Sequence, residues 1–356
     1  MIQTVMTVLA LGMGVAAQES PPAPHRLPVQ DPKTGKWGFI DGSARLVVPC
    51  LFSEAGDFHD GLAAVCRELT PIEISEEGTS RTVHVADRWE YVDPSGKTVI
   101  AGPFRSAAAF SDGLACVSRD PRLSGFIDRT GKWVIPATFE EANSFHEGRA
   151  VVRTKTGSGA IDEQGNLAVP CEFARLRGYS EGLAPFREKE LWGYIDKSGK
   201  KVIAAQFEEA EPFSEGLAYV ALGKEQGGYI DPAGKKVISG LTLSGGPFRE
   251  GLARIYGWKT GYWIDRTGKK AIDNPGGWVG DFSEGLASFS VGEKRGYLDR
   301  TGKRVIEPQW DSVFDFSGGF AIVADVGKDK QLVNYRYLDR TGKVLSPRLV
   351  SEGPSK

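Results

Sequence analysis

The chain has 356 residues, of which 45 are Gly and 20 are Pro, and that frequency of helix breakers leaves little room for long helices. A composition of 40% hydrophobic and 25% charged residues belongs to a globular protein and excludes general disorder. The formal net charge of −2 excludes a global electrostatic pull toward nucleic acid or anionic membrane, so neither is expected as a partner.

Val5 to Ala17 is an apolar stretch, and Val15-Ala16-Ala17 before Gln18 fits a small-residue cleavage site, although no Lys or Arg precedes it. Residues 1–17 therefore read as a secretory signal, and a secreted or periplasmic location is expected. No cysteine follows the run, which argues against a lipid anchor. No later apolar run reaches the roughly 20 residues needed to span a membrane, so no transmembrane segment is expected after cleavage. Residues 18–34, with Pro21, Pro22, Pro24, Pro28 and Pro32, read as an extended linker.

From residue 35 to about 350 the chain repeats itself, with a short tail at 351–356. An aromatic-Ile-Asp unit places Asp at 41, 93, 128, 162, 196, 231, 265, 299 and 339. A Gly-Leu-Ala unit or close variant starts at Gly61, Gly113, Gly148, Gly182, Gly216, Gly251, Gly285 and Gly319. Each Asp precedes its Gly by 20 residues in all eight cases, whereas the return from Gly to the next Asp varies from 14 to 32. Packed segments forbid insertions and surface loops tolerate them, so all variation falls in one connector.

Three strands per repeat follow from local chemistry. The first ends in Trp-Gly-Phe-Ile-Asp at 37–41. Asp41, Asp93, Asp128, Asp162, Asp196, Asp231, Asp265, Asp299 and Asp339 then open a tight turn, and Gly three residues later supplies the positive φ in eight of nine copies. The second strand is Lys-x-Val-Ile-Pro or similar, and the third is Leu-Ala-x-Val, as at 217–220. An aromatic stands eleven residues after Asp in six of eight repeats (Phe52, Phe104, Phe139, Phe173, Phe207, Trp310). A period of 34 also suits helical tetratricopeptide arrays, but no window carries a helical apolar pattern of ten residues or more. A single repeat has too few apolar side chains to order its backbone alone, so neighbouring copies must share their cores.

Lys36-Trp37-Gly38-Phe39-Ile40-Asp41, Leu191-Trp192-Gly193-Tyr194-Ile195-Asp196 and the recurring Phe-x-Glu-Gly-Leu-Ala-x-Val resemble the bacterial WG-repeat (KWG) β-repeat proteins. Ser124-Gly125, Gly227-Gly228 and Arg295-Gly296 lack the Trp, and Trp89-Glu90 lacks the Gly. The resemblance implies an all-β repeat architecture, no shared catalytic activity, and a role in interactions. Eight full repeats and a C-terminal half repeat are expected. The half repeat, Tyr335 to Leu345, duplicates the hairpin that starts at Trp37 and does not complement it. That favours an open superhelix or solenoid, with a closed β-propeller-like ring as the alternative.

No residue pattern calls for catalysis, a cofactor or a metal. The turn aspartates sit beside cations and read as turn caps, not calcium ligands. His59 and His146 share a position held elsewhere mainly by Ser, which marks a tolerant turn. The acid before Gly-Leu-Ala (Asp60, Asp112, Glu147, Glu181, Glu215, Glu250, Glu284) recurs seven times in eight, and a recurrent carboxylate is structural, not a glycosidase pair. Cys50, Cys66, Cys116 and Cys171 fit no metal spacing and read mostly as small core residues; Cys66 with Cys116 is the one disulfide pairing to test. Two interaction elements remain. Lys97, Lys132, Lys200, Lys201, Lys235, Lys236, Lys269, Lys270, Lys303, Arg304 and Lys343 form a row along one edge that suits an anionic polymer or acidic protein surface, with the acidic-Gly turns forming another row. The insertion at 67–87 carries Ile72-Glu73-Ile74-Ser75 and Thr82-Val83-His84-Val85 around Glu76-Glu77-Gly78, an extra hairpin. The expected function is a non-enzymatic extracytoplasmic scaffold for a protein or envelope polymer, with a carbohydrate-directed protein, lectin-like or weakly hydrolytic, as the alternative.

Overall fold

The computed structural model describes residues 26–345 apart from 32, 77–78, 224–225, 258–259, 274–276 and 328–331. The expected signal at 1–17, residues 18–25 of the linker and the tail at 351–356 lie outside the described residues. Within them the chain forms strands and no helix.

Nine small antiparallel sheets follow one another along the chain, and a separate two-stranded ribbon interrupts the second. They are the blades of a closed β-propeller: 26–52, 54–104, 106–139, 141–173, 175–207, 209–241, 244–273, 279–310 and 312–345. Blade 3 shows the plan, with Ser106–Ala107, Leu114–Asp120, Leu123–Asp128 and Trp133–Phe139 hydrogen-bonded in that order. The three expected strands are present. The additional strand, Ser106–Ala107, is the first of the blade and pairs at only two positions, too few for a periodic pattern to announce it. The sequence repeat is also out of phase with the blade: its Trp-Gly and Lys-x-Val-Ile strands close one sheet, and its Gly-Leu-Ala strand is the second of the next.

The Gly of the Trp-Gly pair has a steric cause. The fourth strand of a blade bulges where it faces this residue, as between Ser124↔Phe139 and Phe126↔Ile135. That bulge presses backbone onto Gly38, Gly125, Gly159, Gly193, Gly228 and Gly296, where a Cβ would lie closer than 3.0 Å to a carbonyl oxygen. Backbone cannot rotate aside, so any side chain there would displace the strand.

No blade owns a core. Leu114, Cys116, Phe126, Ile135 and Phe139 of blade 3 pack with Phe145, Ala150, Val152 and Ile161 of blade 4, and the other interfaces follow suit. The aromatic before Ile-Asp is buried at every interface that has one, and its polar atom is satisfied across the gap. The hydroxyls of Tyr91, Tyr194, Tyr229 and Tyr297 donate to carbonyls of Ala108, Glu211, Gly246 and Phe314, 17 residues on, at 2.6–2.7 Å, and the Trp263 indole donates to Gly280 at 3.0 Å.

The favoured open superhelix does not form; the chain closes on itself as the alternative ring. Tyr337 of blade 9 donates to the Pro28 carbonyl of blade 1, repeating the interface bond of the other blades. Leu27, Val29, Ile40 and Ala44 form one cluster with Tyr337, and the Trp37 and Tyr335 rings stand 5.4 Å apart. Part of the expected linker is therefore structural: Arg26–Gln30 is a strand that pairs with Trp37–Asp41 and completes blade 1. The C-terminal half repeat is the second half of blade 9. Each end finishes its own sheet, so duplication of the hairpin is compatible with closure by face-to-face packing.

The Asp-x-x-Gly turn also rests on the preceding blade. Gly131 has φ 84°, and a Cβ there would meet Ile100 Cγ2 at 2.8 Å. Gly131→Ala should cost about 2 kcal/mol from the left-handed backbone and the clash together. Denaturant unfolding measures it; Thr130→Ala beside it, free of both penalties, is the control and should lose less.

Candidate interaction surfaces

The turn aspartates accept hydrogen bonds from within their own turns. Asp128 Oδ1 accepts the Thr130 N–H at 2.8 Å, the Thr130 hydroxyl at 2.6 Å and the Lys132 N–H at 3.1 Å, and the other turns repeat the two backbone bonds. The hydroxyl bond, then the backbone bonds, hold the carboxyls of Asp41, Asp93, Asp128, Asp196, Asp265, Asp299 and Asp339 below the usual aspartate range. At Asp162, Asn166 supplies the first of these bonds.

The acidic-Gly turns do more than cap. Each is a two-residue hairpin in which both residues take positive φ, as Glu181 (53°) and Gly182 (80°), and the flanking residues exchange both backbone bonds. Each carboxylate reaches across to the same turn of the next blade. Asp112 accepts the Gly148 N–H at 2.9 Å, Glu181 that of Gly216 at 2.8 Å, Glu215 that of Gly251 at 3.0 Å, and Glu284 that of Gly319 at 2.8 Å. Glu147 takes two, from Glu181 and Gly182, at 2.7 and 2.9 Å. Asp60 and Glu250 complete a chain of seven clamps, from blade 2 through to blade 9. At the position where His59 and His146 stand, the hydroxyls of Ser111, Ser180, Ser214 and Ser283 donate to carbonyls of Phe145, Phe213, Phe248 and Phe316 in the next blade. Sequence reasoning took that position as merely tolerant; the recurrence of Ser was the signal for an interface donor.

The expected geometry of two separate rows is corrected by the strand register. Leu114 faces Asp128, so the acidic turn before the second strand and the Asp turn after the third lie at the same end of the blade. The residue after the turn Asp joins them: Arg266 and Arg340 donate to the Glu215 and Glu284 carbonyls at 2.6 Å, and Lys197 pairs with Glu147 at 3.2 Å. Lys97, Lys132, Lys200, Lys201, Lys235, Lys236, Lys269, Lys270, Lys303, Arg304 and Lys343 are all exposed on this side. Three of them are engaged locally, Lys201 with Glu188 at 2.8 Å, Lys270 with Asp273 at 3.4 Å and Arg304 with Glu307 at 3.5 Å. Acid and base therefore alternate on one face.

The four cysteines are free. Cys66 and Cys116 do not pair: the first thiol donates to the Glu68 carbonyl at 3.0 Å and the second to that of Ala142 at 3.3 Å, in the next blade. Burial pushes the Cys116 thiol up to about 11. Among the described residues no group of three His, Cys, Asp or Glu is placed to hold a metal, and no helix is long and apolar enough to cross a membrane.

Two places depart from the repeat. The insertion forms the expected hairpin, Thr70–Glu76 paired with Thr79–Val85, and it joins no blade. Asp87 anchors its base, accepting the Thr70 hydroxyl at 2.5 Å and lying 3.6 Å from Arg105. A cavity of about 390 Å³ at this base is lined by Arg67, Glu68, Arg88, Trp89, Glu90, Ala101, Gly102 and Pro103. The second place is a cleft of about 410 Å³ between blades 6 and 7, lined by Glu208, Glu209, Tyr219, Leu241, Thr242, Ser244 and Tyr256 among others.

The fold and its clamped turns define a closed nine-bladed β-propeller built from one repeated unit. The family model for the WG containing repeat matches residues 37–68, 91–120, 125–155, 159–192, 192–224 and 296–326, more than half of the chain, and the protein belongs to that family. Among solved structures, a eukaryotic initiation factor superposes with a TM-score of 0.52 at 14% identity, covering 91% of this chain and 84% of its own. BamB from Moraxella catarrhalis gives 0.45 at 10% identity, covering 84% and 97%. These likenesses concern the fold. No curated protein matches the chain.

The clamp predicts a pH dependence. Burial pushes the Glu147 carboxyl up, but the Gly182 N–H, Lys197 and the Glu181 N–H together outweigh it and hold the group below the usual glutamate range. A depressed folded pKa gives stability that is present above the unfolded pKa of about 4.3 and is lost as the pH falls through the folded value. Glu147→Ala should cost about 1 kcal/mol near neutral pH, a figure discounted for its partial exposure. The difference from the parent should shrink as the pH falls below the usual glutamate range. Urea unfolding of both proteins across pH checks it.

Proposed function

We propose that the chain is an exported, non-catalytic repeat scaffold whose inserted ribbon contacts a protein or envelope-polymer partner. The apolar stretch at 5–17 supports export. The carrying observation is the ribbon itself. Its two strands pair only with each other, so among the described residues both outer backbone edges are open, the arrangement to which a partner strand can add. Ile72 is exposed on it. Elsewhere the repeated residues are committed to building the ring: the aromatics that could stack on sugars are buried, and the recurrent carboxylates are taken up by neighbouring turns. The basic turns are the second contact of this reading, suited to an anionic partner.

Deleting residues 69–86 should leave the ring folded and remove partner capture from native envelope extract. Retained capture by the folded deletion variant would overturn the ribbon's role. Capture through the basic turns should weaken as salt rises from about 50 to about 300 mM, because exposed charges are screened over this range.

A further inference from the structure

The two open edges of the inserted ribbon are not equivalent. Its strands pair Thr70↔Val85, Pro71↔His84, Ile72↔Val83 and Glu73↔Thr82, on to Glu76↔Thr79. Antiparallel pairs alternate between those that exchange backbone bonds and those that do not. Pro71 has no N–H, so it is accommodated in a pair that exchanges none, with its nitrogen turned outward. Alternation then turns the backbone groups of Pro71 and Glu73 outward on the first strand. On the second strand it turns out those of Ser80, Thr82 and His84.

The first edge is guarded and the second is not. Outward on the first stand a proline that cannot donate and Glu73, an exposed acid. The second strand, Thr79–Val85, holds no Pro and no acid, and four of its seven residues are β-branched. An open edge of that composition is one that folded proteins cover. The ribbon also has a physical reason to gain strands. Two strands alone are marginal in water, and Ile72, Val83 and Val85 share one face of the ribbon, with Ile72 left exposed.

We propose that this second edge pairs with the same edge of another copy of the chain, antiparallel about a two-fold axis at Thr82, so that two ribbons form one four-stranded sheet. The edge reads into itself in that register. Residues with outward backbone groups must face their like, so Thr82 faces Thr82, and Ser80 faces His84 on either side. Between them Arg81 faces Val83 and Thr79 faces Val85. No like charges are opposed, and the apolar faces of the two ribbons run on into one another. The same operation on the first edge would set Glu73 against Glu73 and bring in two prolines without donors. The proposal rests on the ribbon being a contact element and names its protein partner as a second copy.

The test is sedimentation velocity of the full chain over a range of concentrations. A reversible monomer–dimer equilibrium is expected, with a dissociation constant in the micromolar range. Deleting residues 69–86 should leave a folded monomer. Thr82→Pro removes only an outward N–H, so the ribbon keeps its own bonds, and the dimer should weaken at least about tenfold. Glu73→Pro makes the same change on the other edge and should leave the dimer as it is. Thr82→Asp sets two carboxylates face to face at the two-fold and should weaken the dimer, more at low salt than at high. Because no blade pairs with the ribbon, every variant should keep the unfolding midpoint of the ring. A chain that stays monomeric up to about 100 µM would overturn the proposal. So would a dimer that survives the deletion or both Thr82 substitutions, or one that Glu73→Pro weakens equally. A monomer that still captures a protein from envelope extract through its ribbon would end the dimer and leave the scaffold reading standing, so the two failures are distinct.

Discussion

The structure depends on a bond between consecutive turns: the carboxylate of one acidic-Gly turn accepting the backbone N–H of the next. Two-residue hairpins with both φ positive are best served by Asn-Gly or Gly-Gly. This chain instead uses Glu at five of the seven clamp positions, a residue with no local reason to enter the left-handed region. The cross-blade bond offsets that preference. It ties each turn to the same turn of the next blade and so holds one end of each blade against its neighbour. Ser hydroxyls and the buried tyrosine hydroxyls make parallel links, so polar groups fix the register while the shared apolar clusters supply the bulk of the cohesion.

The same bond explains the one repeat that lacks it. Blade 9 carries Gly318-Gly319, both at positive φ, where its predecessors carry an acid and Gly. Its neighbour in the ring is blade 1, where the described residues begin with the strand Arg26–Gln30. Among the described residues blade 1 offers no acidic-Gly turn of its own second strand to this position, and the blade 9 turn is made by two glycines. The seam keeps the other interface bond, from Tyr337 to Pro28, because the carbonyl it needs belongs to a strand that is present.

Much of this was legible in the residues. The fixed spacing of 20 between turn Asp and Gly located the packed unit, and the Asp-x-x-Gly turns were visible as turns, because both depend on chemistry within a few residues. What could not be read is what depends on the angle between sheets. The two-residue first strand has no periodicity. Ser before the acid looks like turn chemistry until the next blade's carbonyl is beside it. Closure was misjudged because each end completes its own sheet; a ring needs only that the faces of the first and last blades match, and no local pattern records that. Gly318, the one departure among the clamp acids, marked the seam in the sequence but had no meaning before the clamp was known.

A ring built this way divides its residues into two populations. Positions that repeat are committed: the aromatic before Ile-Asp is buried, the acid is bonded across the interface, and the Gly of Trp-Gly is pressed by backbone. Substituting any of them perturbs an interface, so a specific contact made there would trade against closure. Free surface chemistry is therefore found where the repeat is broken. The 67–87 insertion adds backbone edges that no blade uses, and Gly227 with Leu241, where blade 5 has Trp192 with Phe207, removes two aromatic rings from one interface and leaves a cleft lined in part by Glu208 and Glu209. The two departures differ in kind, since one adds an element and the other subtracts from an element. Both leave the turn clamps on either side intact, which is why a rigid ring can carry them without losing its closure.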